Sequence, residues 1–330
     1  MAETKEKVLG LLLSNSDDYI SGEELSNELN LSRNAIWKAI NSLKEDGHKI
    51  DAIRNKGYKL SLSGDILSAE GITSYLMDKS FYDISVYDVL PSTNTFSKEI
   101  ASKTPIEGKV IVANNQTQGR GRYDRRFFSP DNSGVYFSIT LRPTFATENI
   151  TFLPPLAALA VCKAVEKLSN SEPRIKWVND VYIGERKICG ILSEASFSME
   201  NNKLDYVILG IGINIYRPKD DFPEDIKDIA GCIFDKSETD IRNKLIAEVL
   251  NFLYDSYKNF DAQEIAREYK NYSFLIGREV YVMENGKNDR TAKVLDINEK
   301  NELVVQYNDD TIKALNSGEV SIKINKEIKK

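Results

Sequence analysis

Between residues 84 and 215 two apolar rhythms interleave without regular alternation, and this limits the fold more than any single motif. Residues 84–89, 110–113, 135–141, 175–178, 187–195 and 206–215 have the length and β-branched content of strands. Residues 95–103 and 153–168 have helical spacing, the second apolar almost throughout. A doubly wound sheet needs a helix after nearly every strand. Here only some strands are followed by one, so the expectation is α+β with a mixed sheet. A chain of 330 residues leaves room for two or three domains.

The first sixty residues read differently. Val8, Leu9, Leu12 and Leu13 mark one helix, and Ser21-Gly-Glu-Glu24 is a capping box opening a second around Leu25 and Leu29. Ser32 caps a third, with Ile36, Ile40 and Leu43 inward and Gly47 ending it. Ile50–Ile53 and Tyr58–Leu60 flank Asn55-Lys56-Gly57 as a hairpin. Helix, helix–turn–helix, hairpin is the winged helix-turn-helix order. Residues 1–30 hold two basic against seven acidic side chains, whereas residues 31–60 hold seven against three. The positive half contains the recognition helix and wing, so Arg33, Asn34 and Lys38 are the candidates for base edges or phosphates, and Lys56 and Lys59 for phosphate. A protein-interaction domain with a solvated basic face is the alternative. Trp37 reads equally as a core-edge residue or a DNA contact. A polar hinge, Leu60-Ser-Leu-Ser-Gly64, marks the boundary.

The densest chemistry lies in Gln116-Thr-Gln-Gly119-Arg120-Gly121-Arg122, followed by Arg125 and Arg126. Glycines allow close backbone approach, and guanidinium forks match phosphate or carboxylate. In a chain of net charge −6 such a cluster points to an anionic ligand, and nucleic-acid affinity has to be local. The segment lacks the third glycine of the dinucleotide fingerprint, and no Walker A pattern occurs; a solvated loop is the other reading. His48 is the single histidine, so the rest of the chain builds neither a Ser-His-Asp triad nor a histidine zinc site. Cys162, Cys189 and Cys232 form no pair motif and read as reduced structural thiols. Ser92 or Asn94 serves either a ligand or the cap of the helix that follows. Lys176, amid apolar neighbours, either snorkels to the surface or projects into a site. Gly210 and Gly212 read as close strand packing.

Residues 279–283, 292–297, 303–307 and 311–315 alternate as short strands, with Glu284-Asn-Gly286-Lys as a turn. A small SH3-like barrel is the expected fold, and Lys326–Lys330 a frayed tail. The charged amino terminus lacks a signal-peptide core, and no apolar run is expected to span a membrane, so the chain reads as cytoplasmic.

Taken together, Ser92-Thr93-Asn94, Gln116-x-x-Gly119-Arg120-Gly121-Arg122, Lys176-Trp177-x-Asn179-Asp180, Gly190-Ile-Leu-x-Glu194 and Gly210-Ile-Gly-Ile-Asn214 resemble, in order, the biotin–protein ligases. With the winged helix, the chain is similar to their bifunctional members, which also repress biotin genes. The resemblance extends to the carboxy-terminal segment with Ser317-Gly-Glu-Val-Ser321. It implies domains at 1–63 (winged helix-turn-helix), 64–272 (catalytic, biotin/lipoate ligase-like) and 273–330 (SH3-like). It also implies biotin and ATP as substrates, Mg²⁺ carried mainly by ATP rather than by protein ligands, and biotinyl-5′-AMP as both intermediate and corepressor. The implied partners are a biotin carboxyl carrier protein, biotin operator DNA and a second copy when the adenylate is bound. Ser92, Thr93, Asn94 and Gln116 fall to the biotin end, with Gly190 letting its strand approach. Gly119, Arg120, Gly121 and Arg122 close over carboxylate and phosphate, with Arg120, Arg122 and Lys176 catalytic. Asn179, Asp180 and Asn214 fall to the nucleotide side. The sequence departs from the family pattern at Asp124, at Phe127 (tryptophan in the family) and at Val178 (proline). A lipoate–protein ligase, and a ligand-sensing transcription factor with an inactive ligase site, are the two rival readings.

Overall fold

The computed structural model describes residues 2–15, 18–45, 48–60, 65–198, 203–236, 238, 240–284, 287–316 and 320–324. The expected helix stop at Gly47, the hinge at 61–64, the turn at Gly286, residues 317–319 and the tail lie outside them.

Helices α1 (Ala2–Ser14), α2 (Gly22–Leu29) and α3 (Arg33–Glu45) enclose a core of their own, built on Val8, Leu12, Leu25, Ile36, Ile40 and Leu43. The capping box forms: the Glu24 backbone N–H donates to Ser21 Oγ, and Glu24 Oε2 accepts from the Ser21 N–H. Strands β1 (Ile50–Ile53) and β2 (Gly57–Leu60) pair as the wing hairpin. Gly57 has φ 111°, and a Cβ there would run into the Ile20 carbonyl, so only glycine fits the wing's base.

The central domain contains α4 (Ala69–Ser74), β3 (Asp83–Leu90), α5 (Thr93–Ala101), β4 (Lys109–Gln116), β5 (Gly134–Leu141) and α6 (Leu153–Leu168). It continues with β6 (Pro173–Lys176), β7 (Asp180–Ile183), β8 (Arg186–Phe197), β9 (Leu204–Asn214), α7 (Ile241–Lys258) and α8 (Ala262–Tyr272). The seven strands run in the order β3-β4-β5-β9-β8-β7-β6. Only the β3–β4 pair is parallel, which makes the sheet mixed, as the irregular rhythm implied. Alternation sorts the two faces: Val110 and Val112 join the large core under α6 and α7, whereas Ile111 and Ala113 face α5.

Three differences from the sequence reading have physical causes. The strand expected over 175–178 ends at Lys176, because Trp177–Asn179 form the turn into β7, with a cis peptide between Trp177 and Val178. Helix α7 went unread because Arg242, Asn243 and Asn251 sit at its buried positions and break the apolar stripe. Helical residues Thr147–Leu168 do have the length and mean hydropathy of a membrane span, contrary to the sequence expectation, but most of that stretch is buried in the protein core.

The buried polar residues of α7 hold the chain where it enters the central domain. Arg242 Nε lies 3.3 Å from Asp65 Oδ2, with both side chains about 5% exposed (5% and 6%). The Tyr216 hydroxyl also donates to Asp65, at 2.6 Å, and Arg242 Nη1 donates to Asn114 Oδ1 on β4, at 2.7 Å.

Strands β10 (Glu279–Glu284), β11 (Lys287–Ile297), β12 (Leu303–Tyr307), β13 (Ile312–Leu315) and β14 (Val320–Ile324) form a five-stranded antiparallel sheet in the order β13-β12-β11-β10-β14. Its inner residues, Val280, Val294 and Val305 among them, continue the central core.

Candidate functional site

Sheet register builds the site. Lys176 pairs with Asp180, Asp180 with Gly190, Gly190 with Gly212 and Gly212 with Tyr136, so one row crosses five strands. The neighbouring row joins Leu192, Gly210 and Ser138. Cross-strand partners share a face, and this is the face that α5 covers. The glycines leave a floor without side chains on which other groups rest. A Cβ on Gly212 would stand 2.5 Å from the Phe127 ring, one on Gly190 3.1 Å from it, and one on Gly210 would collide with Asn94 Oδ1.

The cleft is lined by Ser92, Thr93, Asn94, Gln116, Arg120, Gly121, Arg122, Lys176, Asn179, Asp180 and Gly190 from the sequence reading. Gly119 and Asn214 lie outside the lining. Gly119 instead lets the chain pack against the Phe127 carbonyl, and the Asn214 amide donates to the Gly231 carbonyl at 3.0 Å. The lining also includes Arg125, Arg126, Phe127, Trp177, Lys187, Gly210 and Gly212. Lys187 was missed, although Lys187-Ile-Cys places a lysine at the start of an apolar strand, the same signal that marked Lys176.

At one end the polar side chains are bonded to one another and to the backbone. Ser92 caps α5 by accepting from the Thr95 N–H at 3.5 Å. Gln116 Oε1 accepts from the Thr93 N–H at 2.9 Å and from Thr93 Oγ1 at 3.2 Å, and Gln116 Nε2 donates to Ser129 Oγ at 2.9 Å. The Ser138 hydroxyl donates to Asn94 Oδ1 at 2.6 Å, and Asn94 Nδ2 donates to Glu194 Oε2 at 2.8 Å. Lys98 and Arg120 both pair with Glu194 Oε1. Burial pulls the Glu194 carboxyl upward, but the bonds from Lys98 and Asn94 outweigh it and leave its pKa below the ordinary value.

At the other end cations outnumber their partners. Arg120, Arg122, Arg125, Arg126, Lys176 and Lys187 line the cleft together with the Asp180 carboxylate. Lys187 pairs with Asp180 at 2.6 Å, Arg122 Nη1 donates to Asn179 Oδ1 at 3.3 Å, and Arg126 Nη2 donates to the Thr117 carbonyl at 2.8 Å. Lys176 makes no hydrogen bond or ion pair with any described residue. Its pKa lies below 10.5, first because it is buried and next because Lys187 and Arg125 oppose its charge, with Asp180 only partly compensating. The Gly/Arg segment is a tight hairpin: the Phe127 N–H donates to the Gly119 carbonyl at 2.9 Å and the Gly121 N–H to the Arg125 carbonyl at 2.7 Å. Tyr123 turns it with φ 55°.

A second candidate surface is the outer face of α3. Arg33, Asn34, Trp37 and Lys38 are exposed there, as is Lys56 on the wing; Lys59 is half-buried. Trp37 is 55% exposed, which places it on this face and outside the core. Arg33 pairs with Glu23 at 2.6 Å.

A mixed-sheet domain with a cation-lined cleft, behind a winged helix, is the architecture of a ligase domain joined to a DNA-binding module. Comparison with known proteins agrees. Residues 86–214 match the biotin/lipoate A/B protein ligase family and residues 4–59 an HTH domain. The bifunctional ligase/repressor BirA of Bacillus spizizenii is 35% identical over 263 residues, covering 79% of this chain and 80% of that one. The protein of the same description from Bacillus subtilis is 38% identical over 232 residues, 70% and 71% of the two chains. The structure of a biotin protein ligase from Aquifex aeolicus in complex with biotin and ATP superposes with a TM-score of 0.61 at 28% identity, covering 74% of this chain and all (100%) of that one. The chain belongs to the biotin–protein ligase family, among its bifunctional ligase/repressors.

Proposed function

We infer that the protein joins biotin to a lysine of a biotin carboxyl carrier protein at the expense of ATP, and that biotinyl-5′-AMP turns it into a repressor of biotin genes. The observation that carries this is the two-ended cleft: neutral, mutually bonded polar side chains at one end and surplus cations at the other. Biotin has a neutral ureido ring and an anionic tail, and ATP is a polyanion.

In the first step a biotin carboxylate oxygen attacks the α-phosphorus, the bond to the β-phosphate breaks, and pyrophosphate leaves. The carboxylate is already the nucleophile at neutral pH, so no general base is required. The barrier comes from bringing two anions together and from charge growing on phosphate oxygens. Lys176 on β6 and Lys187 on β8, either side of β7, supply fixed positive charge there, and Arg120 and Arg122 close over carboxylate and phosphate. In the second step the carrier's lysine amine attacks the acyl carbon, the bond to AMP breaks, and the amine loses its proton. Asp180 is suited to orient that amine. Gln116, Thr93, Asn94 and Ser92 hold the ureido end, and Asn179 the nucleotide. Asn214 acts on the nucleotide side only through the loop at Gly231. Asp180 would offer one carboxylate and Asn179 one amide oxygen, which fits a Mg²⁺ that arrives on the phosphates.

The boundaries 1–63, 64–272 and 273–330 agree with the separate amino-terminal core and with the last sheet beginning after α8. Register shifts in β10–β11 and β11–β12, of the kind that bend a sheet, support reading it as an SH3-like barrel. Repression follows by linkage: the adenylate orders the Gly/Arg hairpin, the ordered form dimerises, and two recognition helices grip operator DNA. Arg33, Asn34, Lys38, Lys56 and Lys59 make the DNA contacts, and the protein works in the cytoplasm.

The test is transfer of labelled biotin, with Mg·ATP, to a carrier domain. Label on the carrier's lysine is the expected result. Transfer of lipoate in place of biotin, or operator binding controlled by biotin without any transfer, would overturn it.

A further inference from the structure

The turn that carries Lys176, Asn179 and Asp180 is held from behind by the carboxy-terminal sheet. The Trp177 indole N–H donates to the Asn301 carbonyl at 2.9 Å, in a buried position. Asn301 lies in the connection between β11 and β12 with φ 58°, and its own N–H closes the turn on the Asn298 carbonyl at 2.8 Å. It is 6% exposed, yet its side-chain Oδ1 has no hydrogen-bond partner among the described residues. The backbone is therefore the attachment, and the left-handed conformation, which asparagine tolerates, aims the carbonyl. The contact has a direct line to the chemistry, because the same Trp177 borders the cleft between Lys176 and Asn179. Tyr269 adds a second hold, its hydroxyl donating to the Val178 carbonyl at 3.0 Å.

We propose that Asn301 is a positioning residue for adenylation: its carbonyl fixes Trp177 and, through it, the Lys176–Asp180 turn. The carboxy-terminal sheet is then part of the ligase machinery and more than a stabilising cap. This rests on the ligase reading above. Breaking the contact should misplace the charges that act in the transition state while leaving the ureido end, on other strands, intact.

The experiment measures biotin-dependent pyrophosphate exchange and, separately, biotin affinity. Trp177→Phe removes the donor and Asn301→Val disfavours the left-handed turn. Each should lower kcat about tenfold and leave the biotin Kd within about twofold. Asn301→Gly keeps the turn and should retain wild-type exchange. The Trp177→Phe/Asn301→Val double variant should be no worse than the worse single variant, because both break one contact. Trp177 and Trp37 are the two tryptophans of the chain. In a Trp37→Phe background Trp177 emission therefore follows the contact without reference to turnover, and it should shift in Asn301→Val but not in Asn301→Gly. Additive losses, an equal loss in Asn301→Gly, or unchanged exchange and emission in Asn301→Val would each overturn the proposal. Wild-type exchange tests the ligase reading separately.

Discussion

The two ends of the cleft solve opposite problems. At the ureido end Thr93, Asn94, Gln116, Ser138 and Glu194 form a closed network in which each polar atom already has a partner. At the phosphate end Lys176 makes no hydrogen bond or ion pair with any described residue and is buried beside Lys187 and Arg125, with Asp180 only partly offsetting their charge. A closed network fixes shape, so it selects a ligand by fit. An open cluster of like charges stores repulsion, which a polyanion relieves, so it selects by charge and rewards the state with most negative charge. On the proposed function, specificity and acceleration then fall to different residues.

The largest effect should come from the open end. Lys176→Ala removes the buried ammonium and should slow adenylate formation by about 3–4 kcal/mol of transition-state stabilisation, read by pyrophosphate exchange, with biotin affinity nearly kept. Exchange at the native rate would show that Lys187 and the arginines suffice. The next largest should come from the closed end. Gly210→Ala drives a methyl into Asn94 Oδ1. Overpacking of this kind costs about 1–3 kcal/mol. It should appear in the biotin Kd by calorimetry, with little change in the ATP Kd. If ATP binding falls equally, the two ends are not separable.

Much of this division was legible in the sequence. Gly119–Arg122 and Lys176–Asp180 advertised the cations, and Ser92–Asn94 the neutral donors, because turns and clustered charges are local signals. What stayed hidden depends on register. Ser138 enters the site only because it pairs with Gly210, and Glu194, present in a motif without a role, because Lys98 on α5 and Arg120 on the Gly/Arg hairpin reach it. Lys187 had a readable signal, yet its partnership with Asp180 requires the β7–β8 pairing. Asn214 shows the reverse case: its place in a motif suggested the ligand, and the structure turns its amide to Gly231 and leaves it outside the cleft lining. Helix α4 escaped because six residues are too short for a periodic signal, and α7 because its polar positions are buried by contacts remote in sequence, such as Asp65 with Arg242. That pair offers a stability check apart from the cleft. Arg242→Leu leaves a buried carboxylate uncompensated and should cost about 3–5 kcal/mol, read from denaturant midpoints. A loss under 1 kcal/mol, by the same scale, would mean water reaches Asp65.

Acidity separates the ends further. The Lys176 pKa is depressed below 10.5, so the folded protein binds fewer protons than the unfolded chain between the two pKa values. Across that window the penalty of burying the charge fades and stability rises with pH. Activity runs the other way: kcat/KM for adenylation should fall on an alkaline limb lying below 10.5, as the ammonium is lost. Lys176→Arg should move that limb upward, since a guanidinium does not titrate there. An alkaline limb unchanged in the arginine variant would assign it to another group.

The smallest expected effect is also the cleanest comparison. Open charges are screened by salt and closed hydrogen bonds are not. Raising ionic strength from about 0.05 to about 0.5 M shortens the screening length from roughly 14 to roughly 4 Å. The ATP Kd should weaken several-fold across that range, while the biotin Kd should change by less than about twofold, because only biotin's single carboxylate meets the cationic end. Equal salt dependence for both ligands would mean that biotin's tail is held as an ion pair as strongly as its ring is held by hydrogen bonds, and the division of labour between the two ends would fail.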